Sequence, residues 1–380
     1  MMHEPRAGRT APMAALCAAV LLFGACRMPA DSRAQSLGEL LDVVSQSTPA
    51  HAASADARHW AEVAGRIRSV AAGLPADSRA AAQYHEARCV ALSGDRAGAV
   101  ERLNRLLAQA PRLPEALHLK IQLTQVEGDE ANTRRRWELE AEMAALLPIS
   151  PWSRIRDARM EAQEARRLNL TQSRNPDWPI IPSIDREKLL RIAQLYEDMR
   201  LYDQAANAYR EAIYGGFAPP EFPEFGRETW ISEEAAEAWM STARCEAAAG
   251  RTNWAVHALL MAVAPSPKRE LRAKDLLQDI LSGRRAVPPP RPEQNRLMEI
   301  VNLYCDCNLH PRGLAALAEA GKLPGADVSA QREKLEREWA VLVRSYVVGR
   351  EQTCFMFGRR VAEVRNPLDL APASFPYAPP

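Results

Sequence analysis

The stretch Arg186 to Ile213, REKLLRIAQLYEDMRLYDQAANAYREAI, leaves this chain few options for its fold. Leu189, Ile192, Ala193 and Tyr196 recur at helical spacing in its first half, and Ala205, Ala208, Tyr209 and Ala212 in its second. Each half carries one apolar stripe, so the stretch reads as two amphipathic helices joined by a tight turn, with Glu197 on a solvated face. Neither stripe can be buried within one such pair, and the unit needs copies of itself stacked on either side. Composition agrees with an all-α array. The 380 residues are rich in Ala, Leu, Glu and Arg, only 6% are aromatic, and the β-branched runs that announce strands are sparse. Lys and Arg total 49 against 48 Asp and Glu, so a net charge of +1 gives no footprint for nucleic acid. The charges read as the solvated faces of helices.

The copies are visible in chain order. Leu37, Leu40, Leu41 and Val44 mark a short lead-in helix, and Trp60, Val63, Ile67 and Val70 a longer one. RAAAQYHEARCVALSGDRAGAVERLNRLLAQAP begins at Arg79 and PEALHLKIQLTQVEGDEANTRRRWELEAEM at Pro114. Their turns Gly94-Asp95 and Gly128-Asp129 lie 34 residues apart (128 minus 94). Small residues recur at one offset across each turn, Ala87 with Ala99, Ala193 with Ala205 and Ala243 with Ala255. In the second copy Ile121 and Thr133 replace them.

That period and those pairs resemble the tetratricopeptide repeat. In that family a small residue late in the first helix packs on a small residue early in the second, and a terminal proline closes the unit, as Pro111 and Pro267 do here. The resemblance implies an interrupted α-solenoid of helical hairpins. Repeats one and two occupy 79–147, repeats three and four 186–267, and a degenerate copy with Leu297, Ile300, Val301, Tyr304, Gly313, Leu317 and Ala320 occupies 291–325. A polar linker and the lead-in helices fill 26–78. A charged helix and a proline-bounded loop fill 148–185, a second insertion at 215–231 carries Phe217, Phe222, Phe225 and Trp230, and a helix with the linker Pro288-Pro289-Pro290 spans 268–290. The insertion aromatics either pin the loop to the array or form a recognition patch. Leu335, Trp339, Leu342, Val343 and Tyr346 mark a capping helix within 326–366, as solenoids require, before a poorly ordered tail at 367–380.

The first 25 residues have the form of an export signal: Arg6 and Arg9 precede an apolar run from Ala11 to Ala25. That run is short of the ~20 residues that span a bilayer. Phe23-Gly24-Ala25-Cys26 resembles the lipobox of bacterial lipoproteins, with Phe23 where that family usually carries Leu. The resemblance implies lipid attachment at Cys26 and a membrane-anchored place in the bacterial cell envelope. Ser32-Arg33-Ala34 offers the other outcome, soluble release of a chain beginning at Gln35 into the periplasm or beyond.

Signatures of chemistry are scarce. The sequence contains no Walker loop, dinucleotide fingerprint, HExxH or GxSxG, and no cofactor or small-molecule substrate is expected. Cys305, Cys307 and His310 put soft and imidazole donors close together and are the candidate metal ligands. On a helix the two thiols point about 200° apart, which disfavours chelation from one face, so helix-end cysteines beside an exposed histidine are the competing reading. Cys89 and Cys245 sit among small residues as buried thiols.

The resemblance places the first helices of the hairpins on the inner surface. Arg88, Gln122, Gln194, Arg244 and Asn302, each following a packing residue, then face a groove, with Tyr84, His118 and Met240 one turn earlier. A polar groove of mixed character suits a peptide or protein partner. The expected function is an exported, lipid-anchored scaffold for protein–protein interaction. The alternatives are a secreted enzyme with its site on the insertions and a purely structural envelope component.

Overall fold

A computed structural model describes residues 30–45, 56–74, 76–111, 113–124, 130–146, 185–216, 232–265, 269–282, 287–307 and 309–341. The export signal with Cys26, the charged helix and loop before residue 185, the aromatic insertion from Phe217, the Gly128-Asp129 turn and the tail lie outside the described residues. The described residues are all-α, helices packed in adjacent pairs in a solenoid-like array. Two lead-in helices, α1 (Ala30–Ser45) and α2 (Ala57–Ala72), precede α3 (Ala76–Leu92), α4 (Arg96–Gln109), α5 (Pro114–Leu123) and α6 (Glu130–Leu146). Then come α7 (Arg186–Asp198), α8 (Tyr202–Glu211) with a π-helical turn at Ala212–Gly216, α9 (Glu233–Ala248), α10 (Thr252–Val263), α11 (Glu270–Ser282), α12 (Gln294–Asp306) and α13 (His310–Ala320). A last helix, α14, covers 329–341.

Local chemistry sets these boundaries. Asp56, Asp95, Asp185 and Ser232 cap helix starts by accepting from exposed backbone N–H groups, at 2.9 Å from His59 N and 2.8 Å from Gly98 N. Gly94 and Gly250 take positive φ at two hairpin turns, at 92° and 79°, where a side chain would be strained. At the same place after α7, Arg200 adopts φ 60°, and Leu201 N donates to Tyr196 O at 2.9 Å to close the helix end. The small pairs are buried: Ala87, Ala99, Ala193, Ala205, Ala243 and Ala255 have no exposed surface. Ile121, which takes the place of the small residue in the second hairpin, is buried as well. Glu197 departs from its expected solvated face. It accepts from Tyr209 Oη at 2.8 Å and from Arg244 Nε at 3.2 Å, joining three helices.

The order of packing is not the order of the chain. α10 packs on α3 and on α1, and α1 lies against α11, so the lead-in helix closes over the fourth hairpin. Leu37, Leu40, Leu41, Val43 and Val44 are all buried there, with Ser45 Oγ 3.2 Å from Glu270 Oε2. The α12/α13 hairpin does not continue the array beyond α11. The segment before it turns back, Arg291 N donating to Met199 O at 2.9 Å, and α12 packs on α7. Leu335 and Trp339 of α14 are buried, and Trp339 stacks on His310 with ring centroids 5.8 Å apart, which caps that hairpin.

The α7·α12 contact has internal symmetry. Residues 186–213 and 294–321 align without a gap at an offset of 108 (294 minus 186), matching Leu189 with Leu297, Ile192 with Ile300, Tyr196 with Tyr304, Asp198 with Asp306 and Leu201 with Leu309. The two first helices run antiparallel. Lys188 pairs with Asp306 at 3.3 Å and Arg296 with Asp198 at 3.3 Å, and these pairs are equivalents under the offset. Between them Arg191 pairs with its own equivalent, Glu299, at 2.9 Å. This is the pattern of an isologous dimer interface drawn inside one chain.

Candidate functional site

The expected inner face is largely closed. Tyr84, Arg88, His118 and Met240 are buried at 0%, 1%, 2% and 1% exposure, so they do not line an open groove. Helix α3 is covered by α10 and α5, which brings apolar surface onto the face that the tetratricopeptide resemblance assigns to a partner. Gln122 is half-buried, and Arg244 is half-buried and held by Glu197 and by Ser241 Oγ at 2.9 Å. Gln194 and Asn302 are exposed. They occupy equivalent positions of α7 and α12 and are the members of the row that solvent reaches fully.

What replaces the groove is a buried polar junction between hairpins. Glu115, on the first turn of α5 behind Pro114, is fully buried and accepts from Tyr214 Oη at 2.5 Å. His257 Nε2 lies 3.0 Å from the same Oε1. Tyr214 is supplied by the π-helical turn that ends the third hairpin, and His257 by α10 of the fourth, so one carboxylate ties three hairpins. Local wide turns of this kind place a side chain that a regular helix would aim elsewhere. The indole rings of Trp239 and Trp254 meet the His257 ring edge-on, at 6.0 and 5.6 Å, and Trp239 also meets Tyr214 at 5.8 Å.

The electrostatics follow from burial and pairing. Burial by itself raises the Glu115 carboxyl, but the facing His257 and the hydrogen bonds from His257 and Tyr214 bring it below the ordinary carboxylate range. Burial pushes His118 down to about 3. It also holds His85 well below an ordinary imidazole, helped by His257 and Arg88 nearby. Both histidines are therefore neutral at pH 7 inside the array. A charged carboxylate held by Tyr214 and His257 can fix hairpin orientation. Acid–base chemistry would require a reactant to reach Glu115, which has no exposed surface.

Cys307 and His310 are buried, Cys305 lies against Gly313, and burial raises both thiols, Cys305 to about 11. His310, expected to be exposed, stacks on Trp339 instead. Among the described residues no group of three His, Cys, Asp or Glu side chains could hold a metal ion. Cys89 and Cys245 are buried free thiols. Sequence reasoning missed Glu115, Tyr214 and His257, although a signal was present. The signal is clearest for His257, an ionisable residue inside the otherwise apolar run WAVHALLMAV.

Fold and junction together define an all-α, solenoid-like array of helical hairpins with a buried polar junction between three of them. No family model matches the sequence, and no curated protein is similar to it.

Proposed function

We propose that this protein is an exported scaffold of tetratricopeptide type that is lipid-anchored through Cys26 and binds a protein or peptide partner in the bacterial cell envelope. The observation that carries the reading is the array of helical hairpins itself, with polar side chains exposed on two of its first helices. The partner surface is smaller than the inner row. It centres on the exposed polar positions of α7 and α12, Gln194 and Asn302, with Gln122 and Arg244 at its margins. Helix α1 begins at Ala30, four residues after Cys26 in the sequence (30 minus 26), so the anchor holds the α1/α11 edge of the array near the membrane. A single acyl chain binds membranes only marginally, and stable anchoring takes two signals, which a doubly acylated cysteine meets.

The test is photo-crosslinking in isolated envelopes, with the probe at position 194 or 302 and a control probe at the exposed Arg105 of α4. One partner should be captured from positions 194 and 302 and not from 105. Cys26→Ser should release the protein from the membrane fraction. Capture that does not depend on probe position sinks the partner surface, and a mature chain beginning at Gln35 sinks the anchor.

A further inference from the structure

The α12/α13 hairpin is attached to the body as a separable unit. It pairs internally, its principal contact with the rest of the array is the single helix α7, and it is supported by the Arg312–Glu211 ion pair. The segment that leads into it, Val287 to Glu293, is exposed throughout and carries Pro288, Pro289, Pro290 and Pro292. Prolines keep such a connection extended at ~3.1 Å per residue. Its attachment to the body includes three hydrogen bonds, from Arg291 N to Met199 O at 2.9 Å, from Glu293 N to Met199 Sδ at 3.4 Å, and from Arg200 Nη1 to Pro289 O at 3.4 Å.

The docking surface itself has the form of a contact between two copies. Lys188, Arg191 and Asp198 form one stripe on α7, and Arg296, Glu299 and Asp306 form the equivalent stripe on α12, paired in opposite order. Two α7 helices could not pair this way, because Arg191 would face a second Arg191 at the axis. Two α12 helices would likewise bring Glu299 onto Glu299. The axis charge therefore accepts α7 with α12 and rejects either helix with itself. An α12 from another chain satisfies α7 as completely as the one in the same chain.

We infer that two copies of this chain exchange their α12/α13 hairpins, each α7 receiving α12 of the other copy. The exchanged dimer keeps the α7·α12 contact unchanged and alters only the path of the proline-rich connection. It goes beyond scaffolding, since it doubles the partner surface and the anchors per assembly.

A charge-reversal pair tests the exchange in the full-length chain. Arg191→Glu sets a carboxylate against Glu299, and Glu299→Arg sets a guanidinium against Arg191. Each variant alone carries like charges at the axis whether or not hairpins exchange. Mixed together, the two variants restore opposite charges at both axes only if each takes its hairpin from the other. Both positions are about half exposed, at 49% and 43%, so the helical spectrum should match the parent. With the variants coexpressed under different tags at low salt, tandem capture and native mass spectrometry should recover a mixed dimer severalfold above either self-dimer. The excess should fade at ~1 M salt, where the screening length is about 3 Å. Monomers alone, or mixed and self-dimers in statistical proportion, would overturn the inference.

Discussion

Gly313 and Val301 illustrate what the hairpins ask of single residues. In the third hairpin the close approach is made by Ala193 and Ala205; at the equivalent positions of the last hairpin stand Val301 and Gly313. The larger residue on one helix is matched by a smaller one on the other. A methyl group on Gly313 would lie 3.0 Å from Cys305 Sγ and 3.2 Å from Val301 O, and the backbone oxygen has little room to yield. Gly313→Ala is therefore expected to lower stability by about 1 to 3 kcal/mol through overpacking. Adding Cys305→Ala, which removes the nearer of the two contacts, should recover part of that loss. Thermal melts of the single and double variants check it, and an unchanged melting temperature for Gly313→Ala would contradict the close approach.

At the scale of elements the junction on Glu115 decides how hairpins meet, and its protonation chemistry gives it a signature. His85 and His118 have folded-state pKa values below the ordinary imidazole, about 3 for His118. As pH falls below about 6.5 the unfolded chain takes up protons that the folded chain refuses, so stability present at neutral pH is lost on acidification. Each histidine contributes up to about 1.4 kcal/mol per pH unit to that slope. Glu115 acts in the same direction, because its lowered carboxyl pKa supplies stability above the carboxylate range that disappears as pH falls through it. Melting temperature should hold between pH 8 and 7, at about the values these groups leave untitrated, and fall steadily below about 6.5. His118→Gln should flatten part of the slope. A parent profile that is level between about pH 7 and pH 5 would show that these imidazoles titrate normally.

At the scale of the molecule, α1 is the element that turns a row of hairpins into a closed body. It contacts α2, α10 and α11, so residues distant in the chain unfold together. The other side of the array depends on α7 and α12. Deleting residues 30–45 should strip amide protection from α10 and α11 and leave α12 and α13 as protected as before. Hydrogen exchange read by mass spectrometry measures both in one experiment. Equal loss in all four helices would mean the array has a single cooperative unit and that the α12/α13 hairpin is not separable.

The helices, their pairing into hairpins and the alanine pairs at three close approaches are legible in the sequence. These are local properties: a 3.6-residue period sets the apolar stripe, a glycine or a capping aspartate ends the element, and a short turn forces neighbours to pack. The 108-residue correspondence between Arg186 to Ile213 and Gln294 to Gly321 was also legible there, since it needs only an alignment of the chain with itself. Which hairpin lies on which is settled by packing between elements distant in the chain. Apolar stripes of Leu, Ile and Ala are interchangeable and burial is non-directional, so periodicity names the face of α3 that is polar without naming α10 as the helix that covers it. The tetratricopeptide resemblance puts Arg88 and His118 in a groove, and both are buried. The last hairpin was placed at the end of the array and lies on α7, where its charge stripe finds the opposite signs.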